Sequence, residues 1–99
     1  MRVVTAGPES RLTRKILVAL REIPGSWWVK AHGGPFQAGL PDILGCVRGH
    51  LYALEVKSPE TGHGVTALQA QTIDKINAAG GTARVVRSVE EALEVVWPE

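Results

Sequence analysis

The chain has 99 residues, of which 44% are hydrophobic and 21% charged, a composition typical of one globular domain rather than of a disordered segment. Its single cysteine, Cys46, excludes an internal disulfide framework and a cysteine-rich zinc module. No apolar run approaches the roughly 20 residues that cross a bilayer, and no apolar secretory segment opens the chain, so we expect one cytoplasmic domain over residues 1–99.

The net charge of +1 is unevenly distributed along the chain. Residues 1–58 carry eight Lys or Arg and four acids, whereas residues 59–99 carry three Lys or Arg and six acids. This asymmetry favours a polyanionic partner for the basic half. A solvated basic helix face is the alternative explanation.

Apolar residues at helical spacing predict a first helix that begins at Pro8 or Glu9 and continues to Ile23. Proline suits the start of a helix because no N–H is needed there, and Pro24-Gly25 ends the pattern. The basic residues of this segment lie mostly on its other side: Arg11, Arg14, Lys15 and Arg21.

Three extended segments follow, at 26–31, 42–47 and 51–57. A glycine-containing loop over 32–39 separates the first two, and Arg48-Gly49 forms a tight hairpin turn between the last two.

The sequence pattern of the second half of the chain predicts a helix, a strand and a short helix. The helix over 67–79 has Thr66 as its N-cap, the β-branched strand covers 82–87, and Ser88 opens a last helix through Val96. The order α-β-β-β-α-β-α, with a strand–helix–strand crossover, predicts an α/β fold in which helices flank a mixed sheet.

The predicted hairpin brings two carboxylates together. A two-residue turn places Val47 opposite His50, and the same register places Asp42 opposite Glu55. Strand alternation adds Lys57 to that face.

Two adjacent carboxylates need a compensating charge, and a hard divalent cation supplies it. Mg²⁺ binds one or two carboxylates while waters and substrate phosphate complete its coordination. A surface ion pair in which Lys57 neutralises the acids is the structural alternative.

These residues carry a family resemblance. The pattern resembles that of PD-(D/E)xK nucleases with a restriction-endonuclease-like core, and more narrowly the virus-type replication-repair nuclease domain, VRR-NUC. The resemblance covers nearly the whole chain and is carried by these segments: Gly39-Leu40-Pro41-Asp42-Ile43-Leu44, Leu54-Glu55-Val56-Lys57-Ser58, Leu68-Gln69 and Ala79-Gly80-Gly81.

The resemblance implies an endonuclease that depends on Mg²⁺, with Mn²⁺ able to substitute. It implies Asp42, Glu55 and the Val56 carbonyl as metal ligands and Lys57 as the catalytic lysine. Glu9 matches an acidic residue of the first helix that often completes the site, although a first-turn Glu that complements the helix dipole explains it equally well.

Gln69 has two possible roles. The resemblance places it in the active site as a catalytic residue, whereas Thr66-Ala67-Leu68-Gln69 has the form of a capping box. We expect both roles to coexist only if the side chain switches partners.

The substrate expected from the resemblance is branched DNA such as a Holliday junction, cut by a homodimer in a bacterial or phage-infected cell. A catalytically idle nucleic-acid-binding module, or a nuclease for flaps, single strands or RNA, is the alternative. No Ser/His/Asp or Cys/His arrangement indicates a covalent intermediate. The candidate DNA-contacting residues are Arg11, Arg14, Lys15, Lys30, His32 and Arg48.

Overall fold

The computed structural model describes residues 7–31 and 38–97. Within these ranges, no helix is both long enough and apolar enough to cross a membrane. The elements follow the predicted order: α1 (Pro8–Leu20), β1 (Ser26–Lys30), β2 (Ile43–Val47), β3 (His50–Val56), α2 (Ala67–Ala78), β4 (Thr82–Val86) and α3 (Val89–Val96).

The strands, α2 and α3 agree with their predicted bounds to within one residue, but α1 ends three residues earlier than its apolar pattern predicts. Beyond Leu20 the chain forms tighter i→i−3 hydrogen bonds, from Glu22 N–H to Ala19 and from Ile23 N–H to Leu20. Ile23 still packs in the core, which explains why the apolar pattern outlasts the helix.

The four strands form one sheet in the order β1-β2-β3-β4, with two antiparallel pairs followed by one parallel pair. Val47 lies opposite His50 and Ile43 opposite Leu54, as the two-residue turn predicts. Positive φ angles at Arg48 and Gly49, 49° and 87°, give the turn the backbone twist that tight hairpins favour.

One face of the sheet holds the hydrophobic core. Alternate strand residues point to this face, where α1 and α3 pack on them. The buried strand residues of this core are Trp28, Ile43, Leu54, Val56 and Val86.

The other face carries α2, none of whose residues is fully buried. The helix lies beside β4, where the Asn77 side chain donates to the Ala83 carbonyl and accepts from the Ala83 N–H, at 3.1 and 2.8 Å. Across β1, β2 and β3 the same face presents a cross-strand row, Trp27–Cys46–Leu51, in which Trp27 is 63% and Leu51 45% exposed.

Candidate active site

Asp42, Glu55 and Lys57 meet at the end of the β2–β3 hairpin away from its turn. Asp42 directly precedes β2, Glu55 is the second-last residue of β3, and Lys57 follows β3. The Lys57 Nζ lies 3.5 Å from Glu55 Oε2, and the two residues are 8% and 3% exposed. The face that strand alternation predicts for Glu55 and Lys57 is therefore the face on which they meet.

Asp42 also accounts for the end of the strand ladder. Its Oδ2 accepts a 2.8 Å hydrogen bond from the Val56 N–H. Continuing the register by two residues places Val56 opposite Pro41, and proline has no N–H to donate to the Val56 carbonyl. The ladder therefore stops where the carboxylates begin, and the Val56 carbonyl as a metal ligand stays a prediction.

The two oxygens of Glu55 have different surroundings. Oε2 accepts a 3.2 Å hydrogen bond from Gln69 Nε2 and faces Lys57, whereas Oε1 is buried and has no partner within the described residues. Burial first, and then the negative charge of Asp42, raise the pKa of Glu55 to about 7, although Lys57 partly opposes them. One lysine therefore compensates two carboxylates incompletely.

The donor set suits a divalent cation. The buried Glu55 Oε1 lacks a partner, and the neighbouring Asp42 carboxylate adds a second hard oxygen donor. No cluster of three or more His, Cys, Asp or Glu side chains fit to hold a metal occurs in ranges 7–31 and 38–97. Mg²⁺ does not require one, because it binds through one or two carboxylates while waters and phosphate complete its shell.

Glu9 has other partners in this structure. Its Oε2 accepts hydrogen bonds from the Ser58 N–H at 3.2 Å and the Thr61 hydroxyl at 2.5 Å, and its Oε1 lies 3.4 Å from His63 Nδ1. The Thr61 hydrogen bond is the largest cause of a lowered Glu9 pKa. Glu9 thus fastens α1 to the loop that follows Lys57, and its role as a metal ligand stays a prediction.

Sequence reasoning missed this attachment of the loop to α1. The partners lie 49 to 54 residues from Glu9 along the chain, and no periodic pattern links them. Only the packing of α1 beside the end of β3 brings them together.

The structure corrects the expectation that Gln69 can fill both roles only by switching partners, although a catalytic role for Gln69 stays a prediction. Its Oε1 accepts from the Thr66 N–H at 3.0 Å while its Nε2 donates to Glu55 Oε2 at 3.2 Å. An amide carries both an acceptor and two donors, so a single conformation fills the capping box and contacts the site.

Two of the basic candidates differ from the carboxylates in their end or their face of the sheet. Arg48 occupies the hairpin turn, six residues from Asp42 along β2, which is about 20 Å at the rise of a strand. Lys30 pairs with Ile43 and therefore shares the core face rather than the Glu55 face. The contacts of Lys30 and Arg48 with DNA stay predictions.

The remaining basic candidates are on α1 or outside the described residues. Arg14 and Lys15 are exposed, and Arg11 lies 3.8 Å from the exposed Glu60. Their contacts with DNA stay predictions. His32 falls outside the described residues.

Of the comparisons with known proteins, the one with solved structures identifies the fold. No family model matches the sequence, and no curated protein matches it. Among solved structures, one named "VRR_NUC domain" superposes with a TM-score of 0.74 at 20% identity, covering 92% of this chain and 96% of that chain. Another, named "VRR_NUC domain protein", has a TM-score of 0.67 at 14% identity, and the match covers 94% of this chain and 88% of that chain. The chain therefore has the fold of a VRR_NUC domain, and its described residues form three helices and one mixed four-stranded sheet.

Proposed function

We propose that this protein is a PD-(D/E)xK-type nuclease that hydrolyses phosphodiester bonds of branched DNA, such as Holliday junctions, with Mg²⁺ or Mn²⁺. One observation carries the proposal: the buried Glu55–Lys57 pair, with the half-buried Asp42 beside it, leaves Glu55 Oε1 without a partner among the described residues, on a fold shared with VRR_NUC domains. A structural ion pair accounts poorly for this group, because the buried Glu55 carboxylate lies beside a second carboxylate while only one lysine compensates them.

Asp42 and Glu55 would hold the cation, with the Val56 carbonyl as a further ligand. When bound, a divalent cation lowers the pKa of a coordinated water and offsets charge on a phosphoryl oxygen. Lys57, which lies against Glu55 Oε2, would supply a positive charge beside the cation and so would stabilise negative charge that develops on the phosphate.

The preference for branched DNA and the homodimer belong to the same proposal. A single copy has one such site within the described residues, whereas a two-fold pair presents two and can cut two strands of a junction. The exposed Trp27 and Leu51 of the cross-strand row supply an apolar surface for the pair. Contacts of Arg11, Arg14 and Lys15 with the DNA backbone would then position the junction without reading its sequence.

Cleavage of labelled junction, flap, duplex and single-stranded DNA tests the proposal. With Mg²⁺ or Mn²⁺ the wild type should cut the junction in preference to the other three, and EDTA should abolish cleavage. Asp42→Asn and Glu55→Gln keep the side-chain shape but remove a charge, so we expect cleavage to fall by about 100-fold or more.

Glu22→Gln is the matched control, because it removes an exposed carboxylate outside the candidate site. It should cut as well as the wild type. Cleavage by Asp42→Asn and Glu55→Gln at the wild-type rate contradicts the proposed chemistry. If the wild type binds the junction tightly but does not cut it, the protein is the idle binding module instead. If the wild type cuts another of the four substrates preferentially, that substrate and not the junction is the target.

A further inference from the structure

The first turn of α2 and the candidate active site share one side chain. The Gln69 N–H donates to the Thr66 hydroxyl at 3.1 Å, and the Gln69 side-chain oxygen accepts from the Thr66 N–H at 3.0 Å. The same side chain donates through Nε2 to Glu55 Oε2. A helix cap is thus in direct contact with a buried carboxylate of the site.

The cap decides which way round the Gln69 amide lies. A backbone N–H can pair only with an acceptor, so the Thr66 N–H takes the amide oxygen. The amide nitrogen is then left to face Glu55. Thr66 has no hydrogen bond of its own to Glu55 among those of the described residues, and it acts on the carboxylate only through Gln69.

The orientation of the amide determines which oxygen of Glu55 is free. Gln69 and Lys57 both approach Oε2, and Oε1 is the buried oxygen without a partner. If the amide were reversed, its oxygen would face the carboxylate, and repulsion between two acceptors would displace Glu55. The choice of free oxygen therefore depends on an N–H that belongs to the start of a helix.

We propose that the Thr66–Gln69 capping box is a positioning device for the site: the Thr66 N–H orients Gln69, which holds Glu55 Oε2 and leaves Oε1 to the cation. This inference rests on the proposed function, in which Glu55 is a metal ligand. Gln69 and Thr66 are accordingly positioning residues rather than catalytic ones, since both act through Glu55. Residues that orient a metal ligand commonly change metal affinity about 10- to 100-fold when they are replaced.

Four variants separate this role from helix capping. Thr66→Ala removes the hydroxyl cap but keeps the N–H that orients Gln69. Thr66→Pro removes both groups, and the Thr66 φ angle of −74° suits proline. Gln69→Met removes both hydrogen bonds of the side-chain amide while it keeps a side chain of similar length. Ser88→Ala is the matched control, because the Ser88 hydroxyl caps α3 at the Glu91 N–H, 3.0 Å away, in the same manner.

Calorimetric titration of the metal-free proteins with Mn²⁺, together with their melting temperatures, gives the readout. Thr66→Pro and Gln69→Met should bind Mn²⁺ about 10-fold or more weakly than the wild type. Thr66→Ala and Ser88→Ala should melt at lower temperature yet retain wild-type affinity. If Thr66→Pro does not fold, Gln69→Met decides the matter alone.

Wild-type Mn²⁺ affinity in Gln69→Met, with a lowered melting temperature, overturns the inference and leaves a purely structural cap. The proposed function fails in a different way. In that case Asp42→Asn binds Mn²⁺ as the wild type does, or the wild type binds none.

Discussion

At the scale of single residues, Glu55 is both a buried side chain of the fold and a candidate metal ligand. It is almost fully buried, faces one ammonium and one amide through Oε2, and lies beside a second carboxylate. Burial and the second carboxylate oppose the charged form of Glu55, and the ammonium offsets them only in part. The residue therefore reduces the stability of the metal-free protein near neutral pH, as is common for groups kept for function.

The raised pKa of Glu55 predicts how stability changes with pH. Between the ordinary value of 4.5 and about 7, the unfolded chain loses this proton while the folded protein keeps it. The unfolded state binds fewer protons in this window, so the free energy of unfolding falls as pH rises. Urea unfolding of the metal-free wild type across the window should show this fall, and Glu55→Gln should flatten it.

Glu9 does not contribute to this fall in the free energy of unfolding, because its pKa is lowered rather than raised. Its contribution to stability is present above 4.5 and is lost only as pH falls below that value. Parallel stability curves for the wild type and Glu55→Gln over the higher window contradict the assignment to Glu55.

At the scale of elements, the β1–β2 pair depends on one close contact. Gly45 lies opposite Trp28, and a Cβ added at Gly45 would stand 2.1 Å from Trp28 Cε3 and 2.5 Å from the Trp27 carbonyl oxygen. The indole is only 3% exposed and belongs to the core. Because Gly45 has no side chain, the ring of Trp28 can occupy the space above it.

Gly45→Ala should therefore destabilise the protein by about 1–3 kcal/mol, the usual cost of overpacking a filled core. Gly64→Ala is the control, since a Cβ there meets no atom within 4 Å and Gly64 is exposed. Its effect should stay within about 0.5 kcal/mol. Urea unfolding of both variants tests this, and equal stability of the two contradicts the close contact.

The helix α2 is held by polar contacts more than by burial. None of its residues is fully buried, but Asn77 bonds both backbone groups of Ala83 and Gln69 bonds Glu55. These contacts attach opposite ends of the helix to the sheet. Apolar periodicity distinguishes the inward Gln69 from the exposed Gln71, yet it cannot indicate that the anchors are hydrogen bonds.

At the scale of the whole molecule, the two faces of the sheet have different functions. The face under α1 and α3 contains the core, while the opposite face carries the candidate site and the exposed row Trp27–Cys46–Leu51. The basic side chains that the structure describes in the first half of the chain are dispersed over several elements. Arg48 lies at the hairpin turn, and Arg14 and Lys15 lie on α1.

The proposed homodimer predicts a specific effect of charge on that row. Trp27→Lys places an ammonium at the most exposed position of the apolar row and should shift the proposed dimer toward monomer in light scattering. Trp97→Lys is the control, because Trp97 is 56% exposed and lines a cavity with Ile23 of the core. A wild type that is monomeric at every concentration, or dimers in both variants, contradicts the use of this row.

The sequence by itself determined the order of the elements and the hairpin register, because both depend on contacts that are local in the chain. Alternation over a two-residue turn is sufficient to place Asp42 near Glu55, and cap residues are sufficient to mark the start of α2. Chain-local patterns of period 2 and 3.6 carry this information.

Only the tertiary structure decided the contacts between residues that are distant in the chain. It attached Glu9 to the loop after Lys57, 49 to 54 residues away, and it placed Lys30 on the core face. It also allowed Gln69 to serve helix and site together, since packing of α2 against the sheet sets the distance between the amide and Glu55. Periodicity indicates which face a side chain occupies, whereas packing determines which partner it meets there.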